Sequence, residues 1–486
     1  MSTAQPVHDL LIRGGTVVDG TRAPRFEADV AIQNGRITAV GDLSGVKARQ
    51  EVDARGLVVA PGFIDSHTHD DQSLLSQPDM TFKVSQGVTT VITGNCGVSA
   101  APLTQEMDLP MPLALVDAPK GQRYTRFADY LGALRQKPAA VNVAALVGHS
   151  TLRAVTMDSL DRPATDSEIA RMRAMLQEAL EAGAIGMSTG TFYPPAMHAT
   201  TEEIIEVGRP LTAHQAVYAT HMRDESNKVM DSLEETLRIG QALNVPVVVS
   251  HHKVMHQANF GRSAETLPYL RNAMKYQRVC LDCYPYNAGS TMIRTDQGML
   301  DGPVLIASSE PHPECAGRYL ADIARDWGVT VVEAANRLQP GTAIYFLMDE
   351  SDVQRILAFE DTMVGSDGVP VGDRPHPRLW GTFPRVLGHY SRDIGLFPLE
   401  VAVWKMTGLT ARNFGLADRG TLAPGQAADV VLFDHRTVRD AASYEDPTRP
   451  AEGIRAVFVN GSLVWQDGRH TGARSGAVLS RKVLPA

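Results

Sequence analysis

The middle of the chain alternates short apolar runs with stretches of helical periodicity. Between residues 60 and 370, eight apolar runs of strand length each lead into a cluster of polar residues. They span residues 62–65, 88–93, 143–147, 184–187, 216–220, 245–249, 279–283 and 363–365. Strands that alternate with helices are typical of a parallel sheet.

Eight such strands favour a closed (β/α)8 barrel, an α/β fold of the TIM-barrel type. In that fold the residues that follow the strands meet at one end of the barrel, where catalytic residues lie. An open, doubly wound sheet is the competing architecture. It gives no reason for a polar cluster after every one of the eight runs, so we predict the barrel.

One of the intervening helices is well marked by its sequence. Apolar residues recur at helical spacing from Ile169 to Leu180. Thr165 or Asp166 can cap the start of this helix, and Gly183 can end it.

Both ends of the chain have the pattern of short strands. Asn34-Gly35 and Asn460-Gly461 each separate two such strands, and Asn-Gly favours a two-residue hairpin turn because both positions need positive φ. Neither end is apolar enough to build a large core alone. We therefore expect residues 1–60 and 415–486 to form one small β-domain beside a catalytic barrel of residues 61–414. Two unrelated edge hairpins are the alternative.

The seventh and eighth runs are separated by more residues than a single crossover needs. We therefore predict an inserted subdomain at about residues 287–350. An insertion at this position would lie over the chemical end of the barrel, where it could act as a lid or a substrate wall.

Composition and charge narrow the class of protein. The 486 residues include 46 basic and 55 acidic ones, a net charge of −9 at pH 7, which argues against a nucleic-acid or anionic-membrane surface. No apolar run reaches the roughly 18 residues of a membrane span, and the N-terminus lacks the pattern of a secretory signal. We expect a cytoplasmic monomer or small homo-oligomer with no nucleic-acid or membrane partner.

Four cysteines in so long a chain do not make a disulfide framework. Cys280 and Cys283 lie within an apolar run, so we expect buried, inert thiols. Cys96 differs from them because it follows the second run, where its thiolate could bind a metal ion.

Five more residues with metal-binding side chains follow the predicted strands. His67 and His69 come after the first run, and residues two apart in extended backbone point the same way. His221 follows the fifth run, His251 the sixth and Asp367 the eighth. Together with the thiolate after the second run, these ligands suit Zn²⁺. The sequence therefore predicts a zinc centre at the mouth of the barrel.

This pattern resembles the amidohydrolase superfamily, in which a strand ends in His-x-His and two single histidines and a final strand-end aspartate follow. The resemblance covers nearly the whole chain and is most specific to the N-acyl-D-amino-acid deacylases. The segments that carry it are residues 61–70 (PGFIDSHTHD), 93–97 (TGNCG), 220–225 (THMRDE), 250–253 (SHHK), 284–286 (YPY), 365–368 (GSDG) and 374–378 (RPHPR).

The chain departs from the wider superfamily in one informative way. Many binuclear members carry a carboxylated lysine at the fourth strand, whereas residues 187–190 here contain no lysine. The resemblance implies that a cysteine replaces this lysine as a metal ligand, and that Cys96, His221 and His251 bind a tight zinc ion. It implies a weaker second site made of His67, His69 and Asp367.

The resemblance also implies the reaction, which is hydrolysis of an N-acyl-D-amino acid to a carboxylate and a free D-amino acid. Asp367 would take a proton from the attacking water and deliver it to the leaving amine. The family holds the substrate α-carboxylate near Lys253, Tyr284 and Ser290, and Arg294 and Arg378 are additional cations. The predicted side-chain pocket consists of Phe192, Tyr193, Tyr345 and Met348.

That pocket is mostly apolar, so derivatives of D-Leu, D-Met or D-Phe are the expected substrates. Arg294 keeps N-acyl-D-glutamate and N-acyl-D-aspartate open as alternatives. Opening of a cyclic amide is a further possibility, although the missing fourth-strand lysine weighs against it. A non-catalytic barrel that serves as a scaffold is the last alternative, and the complete ligand set opposes it.

Overall fold

The computed structural model describes residues 8–118, 121–372 and 374–482. Its strands, in chain order, are β1 (His8–Val17), β2 (Phe26–Gln33), β3 (Arg36–Gly41), β4 (Ala48–Asp53), β5 (Val58–Pro61), β6 (Phe63–Asp65), β7 (Val88–Thr93), β8 (Asn142–Gly148), β9 (Gly186–Gly190), β10 (Val217–His221), β11 (Val247–Val249), β12 (Val279–Cys283), β13 (Gly289–Met292), β14 (Val304–Ser309), β15 (Gly341–Tyr345), β16 (Thr362–Val364), β17 (Val430–Phe433), β18 (Ile454–Val459), β19 (Ser462–Gln466) and β20 (Arg469–His470).

The α-helices are α1 (Ser73–Ser76), α2 (Thr81–Val84), α3 (Phe127–Gln136), α4 (His149–Thr156), α5 (Asp166–Ala182), α6 (Thr201–His214), α7 (Val229–Leu243), α8 (Ser263–Ala273), α9 (Gln297–Leu300), α10 (Leu320–Trp327), α11 (Val331–Arg337), α12 (Glu350–Ala358), α13 (Arg378–Arg385), α14 (Leu399–Met406) and α15 (Gly408–Phe414). A π-helical segment, Val386–Asp393, follows α13, and short 3₁₀ turns occur at Leu113–Val116, Gln257–Asn259 and Pro313–Cys315.

Eight parallel strands form the central sheet, in the order β16-β12-β11-β10-β9-β8-β7-β6. Each of them corresponds to one of the eight predicted apolar runs. Helices α3 to α8 and α12 lie between successive strands, as a (β/α)8 barrel requires. The predicted fold class is confirmed.

The barrel closes between its first strand, β6, and its last, β16, at the residues predicted to bind metal. The Ser366 N–H donates to Asp65 Oδ1 over 2.8 Å, and the Asp367 N–H donates to the His67 carbonyl over 2.8 Å. Behind this junction the buried Lys83 Nζ lies 2.7 Å from Asp65 Oδ2 and 2.9 Å from Ser366 Oγ. Side chains as well as backbone groups therefore join the two strands.

Helix α5 forms where its capping signals predict it. The Thr165 side chain accepts from the Glu168 N–H and the Glu168 side chain reaches back to Thr165, which is a capping box. Gly183 ends the helix at φ 117°, in the left-handed region that favours glycine. Met172 and Leu176 are fully buried on the side that faces the barrel core.

The two ends of the chain share one nine-stranded sheet, in the order β20-β19-β18-β17-β5-β1-β2-β3, with β4 paired to β1. Strand β5 pairs with β1 on one side and with β17 on the other, and so joins the two ends. The sheet packs on a core that includes Ile12, Val30, Val430 and Phe458. Both predicted hairpins are present, as β2–β3 and β18–β19.

The domain boundaries at residues 1–60 and 415–486 remain a prediction. Residues 1–7 and 483–486 lie outside the described part of the chain. Residues near the C-terminus also contact the barrel. The Leu479 N–H donates to the Val143 carbonyl on β8 over 2.7 Å, and the Gly476 N–H donates to the Ala139 carbonyl over 2.9 Å.

The segment between β12 and β16 contains a three-stranded sheet, β13-β15-β14, and helices α9, α10 and α11. Ile306, Ile323 and Ala343 are buried in its core. Tyr284 and Met348 belong to the same apolar cluster, so the insertion packs directly against residues of the predicted substrate site.

Within the described ranges, no helix has both the length and the apolar character that crossing a bilayer requires.

Candidate metal centre and substrate pocket

Two groups of potential metal ligands lie where the barrel strands end. The first consists of Cys96, His221 and His251, and the second of His67, His69, Cys96 and Asp367. Within each group the ligand atoms all lie within 4.8 Å of one another. The structure brings together all six residues predicted as ligands. It adds that Cys96 lies within reach of both groups, whereas the sequence analysis assigned it to the first alone.

Cys96 lies at the centre of these contacts and is 2% exposed. Its Sγ is 3.3 Å from His251 Nε2 and 3.2 Å from His67 Nε2. Burial raises the pKa of the thiol, but the neighbouring His67 and His251 outweigh burial and hold that pKa well below its usual range. Cys96 is therefore poised as a thiolate, the form that binds metal ions.

The His221 ring completes the first group, and its Nε2 lies 3.4 Å from Glu225 Oε2 without making a hydrogen bond. Among the described residues, neither of its buried ring nitrogens has a hydrogen-bond partner. Buried polar atoms without a partner are rare and call for an explanation such as an ion. This donor set fits a borderline-soft divalent cation such as Zn²⁺.

Three of the candidate ligands have left-handed backbone conformations. The φ angles are 52° at Cys96, 35° at His251 and 48° at Asp367. Residues other than glycine adopt such angles at a cost in energy, and strained positions concentrate at functional sites. The strands thus end in backbone turns that direct these three side chains to one place.

Asp367 uses its two carboxylate oxygens in different ways. Oδ1 lies 3.2 Å from His69 Nε2 and 3.5 Å from His67 Nε2, whereas Oδ2 lies 2.9 Å from Arg378 Nη1. Burial raises the pKa of this carboxyl, but Arg378 and the nearby histidines hold it well below its ordinary value. Asp367 is therefore ionised and faces the cavity described below.

Glu225 is a residue of this centre that the sequence analysis missed. Its carboxylate lies 3.1 Å from His251 Nδ1 and 3.4 Å from His221 Nε2, and both oxygens accept from Lys253 Nζ over 2.9 Å. Carboxylates behind ligating histidines fix the orientation of the rings. The segment 220–225 held the residue, but nothing in its spacing distinguished Glu225 from Asp224.

Asp282 is the second missed residue. It is 1% exposed, accepts from the His251 N–H over 2.8 Å, and lies 3.4 Å from His67 Nδ1. The sign of this role in the sequence was a single acidic residue within the otherwise apolar run of β12. Such a residue is buried at a cost unless a functional or structural partner compensates for it.

A cavity of about 430 Å³ opens beside Asp367. Residues predicted to bind substrate form much of its lining, namely Phe192, Tyr193, Lys253, Tyr284, Ser290, Tyr345 and Met348, together with Arg378. Arg294 lies behind this lining, with its guanidinium 4.7 Å from the centre of the Phe192 ring and its Nε 2.6 Å from Asp296 Oδ1. The insertion and the barrel therefore share one cavity.

Two cations flank Tyr284 in this cavity. The Arg378 guanidinium is 4.5 Å from the centre of the Tyr284 ring, and Lys253 Nζ is 5.6 Å from it. Arg378 also donates from Nη2 to the Ser290 carbonyl over 3.0 Å. Burial raises the pKa of the Tyr284 hydroxyl well above its usual range, so Tyr284 stays neutral and can donate a hydrogen bond. The arrangement suits an organic anion.

Comparison with known proteins relates this site to a family. Residues 50–274 and 291–465 match the amidohydrolase family. D-aminoacylase from Alcaligenes xylosoxydans xylosoxydans is 60% identical over 480 residues, which cover 99% of each chain. A solved structure of D-aminoacylase, studied for the role of its binuclear metal centre in one-metal activation and second-metal attenuation, is 59% identical. It superposes with a TM-score of 0.96, covering 98% of this chain and 100% of that one.

A related deacylase has been solved with a ligand. The N-acyl-D-glutamate deacylase of Bordetella bronchiseptica, in complex with zinc and a phosphonate inhibitor that mimics the tetrahedral intermediate, is 45% identical with a TM-score of 0.94. The match covers 98% of this chain and 100% of that one. The protein therefore belongs to the amidohydrolase family and, within it, to the group of N-acyl-D-amino-acid deacylases that contains D-aminoacylase.

Proposed function

We propose that this protein is a zinc-dependent hydrolase that converts N-acyl-D-amino acids into a carboxylate and a free D-amino acid. The observation that carries the proposal is the group of Cys96, His221 and His251 beside a cavity that contains Lys253 and Arg378. Such a site combines a metal that can activate an amide with cations that can hold an α-carboxylate. The similarity to D-aminoacylase over the whole chain supports the same reaction.

Cys96, His221 and His251 would hold the tight zinc ion, because a thiolate and neutral imidazoles are ligands that zinc prefers. When bound, the ion supplies Lewis-acid polarisation of the amide carbonyl and lowers the pKa of the attacking water. His67, His69 and Asp367 would form a weaker second site. Arg378 already compensates the charge of Asp367, so a second cation must compete with a guanidinium that lies 2.9 Å away.

Asp367 is the proposed general base and acid. It takes a proton from the attacking water and then delivers that proton to the nitrogen of the leaving amine. Contacts with His69 and Arg378 fix both oxygens of the carboxylate. A fixed carboxylate at the border of the cavity needs little rearrangement to reach water on one side and the amide nitrogen on the other.

The α-carboxylate of the substrate would lie between Arg378, Lys253, Tyr284 and Ser290. Arg378 offers a planar guanidinium for bidentate binding, and Tyr284 offers a hydroxyl donor. The Lys253 charge is shared with Glu225, so Lys253 contributes less attraction than a free ammonium would. The Arg378 charge is shared with Asp367 in the same way, so we assign the carboxylate contact to the two cations together with the Tyr284 hydroxyl.

The side chain of the substrate would lie against Phe192, Tyr193, Tyr345 and Met348, which favours D-Leu, D-Met and D-Phe. Met299 and Leu347 add further apolar surface to the same cavity. One observation favours an acidic D-side chain as a second candidate. Within the described part of the chain, Arg294 Nη1 is buried without a hydrogen-bond partner, directly behind Phe192. A rotation of the Phe192 ring would open a path between this cation and a D-glutamate or D-aspartate carboxylate.

A panel of substrates tests the proposal. The zinc-loaded enzyme is assayed with N-acetyl-D-leucine, N-acetyl-L-leucine, N-acetyl-D-glutamate and dihydrouracil. We expect turnover of the D-leucine derivative above that of its L-enantiomer, of the D-glutamate derivative and of the cyclic amide. Preference for N-acetyl-D-glutamate would mean that the enzyme selects acidic D-side chains and not apolar ones. No turnover of any N-acyl-D-amino acid would contradict the proposed reaction.

Metal content tests the role of Cys96. We expect Cys96→Ser to lose most of its zinc on dialysis, because removal of the thiolate leaves two imidazoles. Cys283→Ser is the matched control, since that thiol is also buried but lies outside both ligand groups. Equal zinc retention by the two variants, measured by atomic emission, would remove Cys96 from the site.

Location and assembly complete the proposal. We propose a cytoplasmic monomer or small homo-oligomer, and size-exclusion chromatography with light scattering would measure the assembly.

A further inference from the structure

A second cavity adjoins the first at Asp367. It encloses about 350 Å³ of empty space, including the part open to solvent. Tyr193, Ser290, Thr291 and Asp367 line both cavities, so the two meet at the proposed base. His69 and Cys96 line only the second one, which therefore lies against the second ligand group.

The outer wall of the second cavity is apolar. It consists of Val98, Pro112, Leu115, Val116 and Val369, which come from the segments after β7 and after β16. The 3₁₀ turn that contains Leu115 is anchored by an apolar cluster that includes Leu113. Leu115 is not part of that cluster, and it is half-buried. Its side chain thus serves the cavity wall more than the packing of the segment.

The two cavities differ in the charged groups that line them, and the first contains both cations and the carboxylates of Glu225 and Asp367. Lys253 and Arg378 line the first cavity. None of the described residues that line the second is a lysine or an arginine. An N-acyl amino acid has an anionic half and, in the simplest substrates, an uncharged acyl half. With the scissile amide at Asp367, the anionic half belongs in the first cavity and leaves the second for the acyl group.

We infer that the second cavity is the acyl-group subsite and that Leu115 determines which acyl groups it accepts. The inference rests on the proposed function and extends it to the other half of the substrate. The empty space of about 350 Å³ includes the part open to solvent, so the enclosed part is smaller, and we expect a short alkyl chain to fit and a longer one to displace Leu115. A carboxylate at the end of the acyl chain, as in an N-succinyl group, would be buried beside Asp367 without a cation to pair with.

The experiment varies the acyl group while it holds the amino acid constant. N-acetyl-, N-butanoyl-, N-hexanoyl- and N-succinyl-D-methionine are compared by kcat/KM. We expect the enzyme to prefer the acetyl and butanoyl derivatives. Leu115→Ala is expected to raise the ratio of hexanoyl to acetyl turnover by about tenfold, since a few methylene groups at a pocket wall change discrimination by that order. Leu115→Lys is expected to raise the ratio of succinyl to butanoyl turnover instead.

Leu113→Ala is the matched control, because Leu113 belongs to the same turn but points into the apolar cluster and does not line the cavity. The inference is overturned if Leu115→Ala leaves the acyl ratio unchanged, or if Leu113→Ala shifts it equally. It is also overturned if Leu115→Ala changes the ratio of D-methionine to D-leucine substrates and not the acyl ratio. In each of these cases the unmodified enzyme still hydrolyses N-acetyl-D-methionine. Loss of the proposed function would show instead as no turnover of any derivative by that enzyme.

Discussion

Asp367 connects three parts of the site, because its side chain contacts His69 of the second ligand group, Arg378 of the substrate cavity and the border between the two cavities. A carboxylate with so many partners is ionised and fixed in orientation. The surrounding contacts fix the position of the Asp367 carboxylate. Its negative charge is a separate property, which any acidic residue could supply. A neutral side chain of the same shape separates these two contributions.

Asp367→Asn is expected to keep the tight zinc ion and to lose catalysis. The amide can still accept from Arg378, but it can no longer take a proton, so kcat should fall by about 10²- to 10⁴-fold. Zinc content is measured on the same preparation, because unchanged zinc shows that the first ligand group is intact. Near-normal turnover in the variant would mean that another group acts as the base.

The secondary-structure elements that the sequence predicted are those that short stretches of sequence determine. Short apolar runs marked all eight barrel strands, and the Thr165–Gly183 caps marked helix α5. The six ligands were predictable because residues that follow parallel strands meet at one end of a barrel. Glu225 and Asp282 were not predicted, because their roles depend on contacts with His251 and Lys253 that only the folded chain creates.

The junction of β6 and β16 also depends on a contact that could not be predicted from the sequence. Lys83 is far from Ser366 in the chain, yet its ammonium group bridges Asp65 and Ser366, with Asp70 Oδ2 3.3 Å away. Nothing in the sequence distinguished this lysine, since short helix α2 carries no motif. In the fold, Lys83 links the strand end that carries His67 to the loop that carries Asp367.

Lys83→Met is expected to lower stability by about 3–5 kcal/mol, because it leaves buried carboxylates without their cation. It should also weaken binding of a second metal equivalent by displacing the β6–β16 junction. Lys405→Met is the matched control. Lys405 is equally buried, but its Nζ contacts backbone carbonyls, including that of Thr362 at the opposite end of β16.

Thermal denaturation and metal titration together separate the two variants. Both lysine substitutions should lower the melting temperature, and only Lys83→Met should change the affinity for the second metal equivalent. If Lys405→Met lowered the affinity for the second metal equivalent to the same extent, general destabilisation and not the strand junction would explain the effect.

At the scale of the whole molecule, a buried ionic network connects the helical layer to the mouth of the barrel. Arg153 on α4 pairs with Glu203 on α6, and it donates to the Pro195 carbonyl over 2.8 Å and to the Arg162 carbonyl over 2.8 Å. Pro195 lies in the loop that carries Phe192. The network thus holds a wall of the substrate cavity against two helices of the outer layer.

This network predicts how stability depends on pH. Burial raises the pKa of Glu203, but the hydrogen bond with His149, the Arg153 guanidinium and the Ala164 N–H together lower it to about 2. Because the folded-state pKa is lowered, the contribution of Glu203 is fully present above the ordinary value of 4.5 and is lost as the pH falls through about 2. A shift of this size corresponds to about 3 kcal/mol.

Glu203→Gln removes the carboxylate at every pH. The difference in denaturation midpoint between the unmodified enzyme and Glu203→Gln should therefore be largest near neutral pH and shrink steadily as the pH falls from about 5 towards 2, where the native Glu203 becomes protonated as well. Acid also releases bound metal, but that loss is common to both proteins and cancels in the difference. Glu178→Gln serves as the control, because Glu178 pairs with an exposed Arg126, and surface pairs contribute little. A difference that stayed constant over this range would mean that Glu203 stabilises the fold through its shape and packing, since its charge would then be irrelevant.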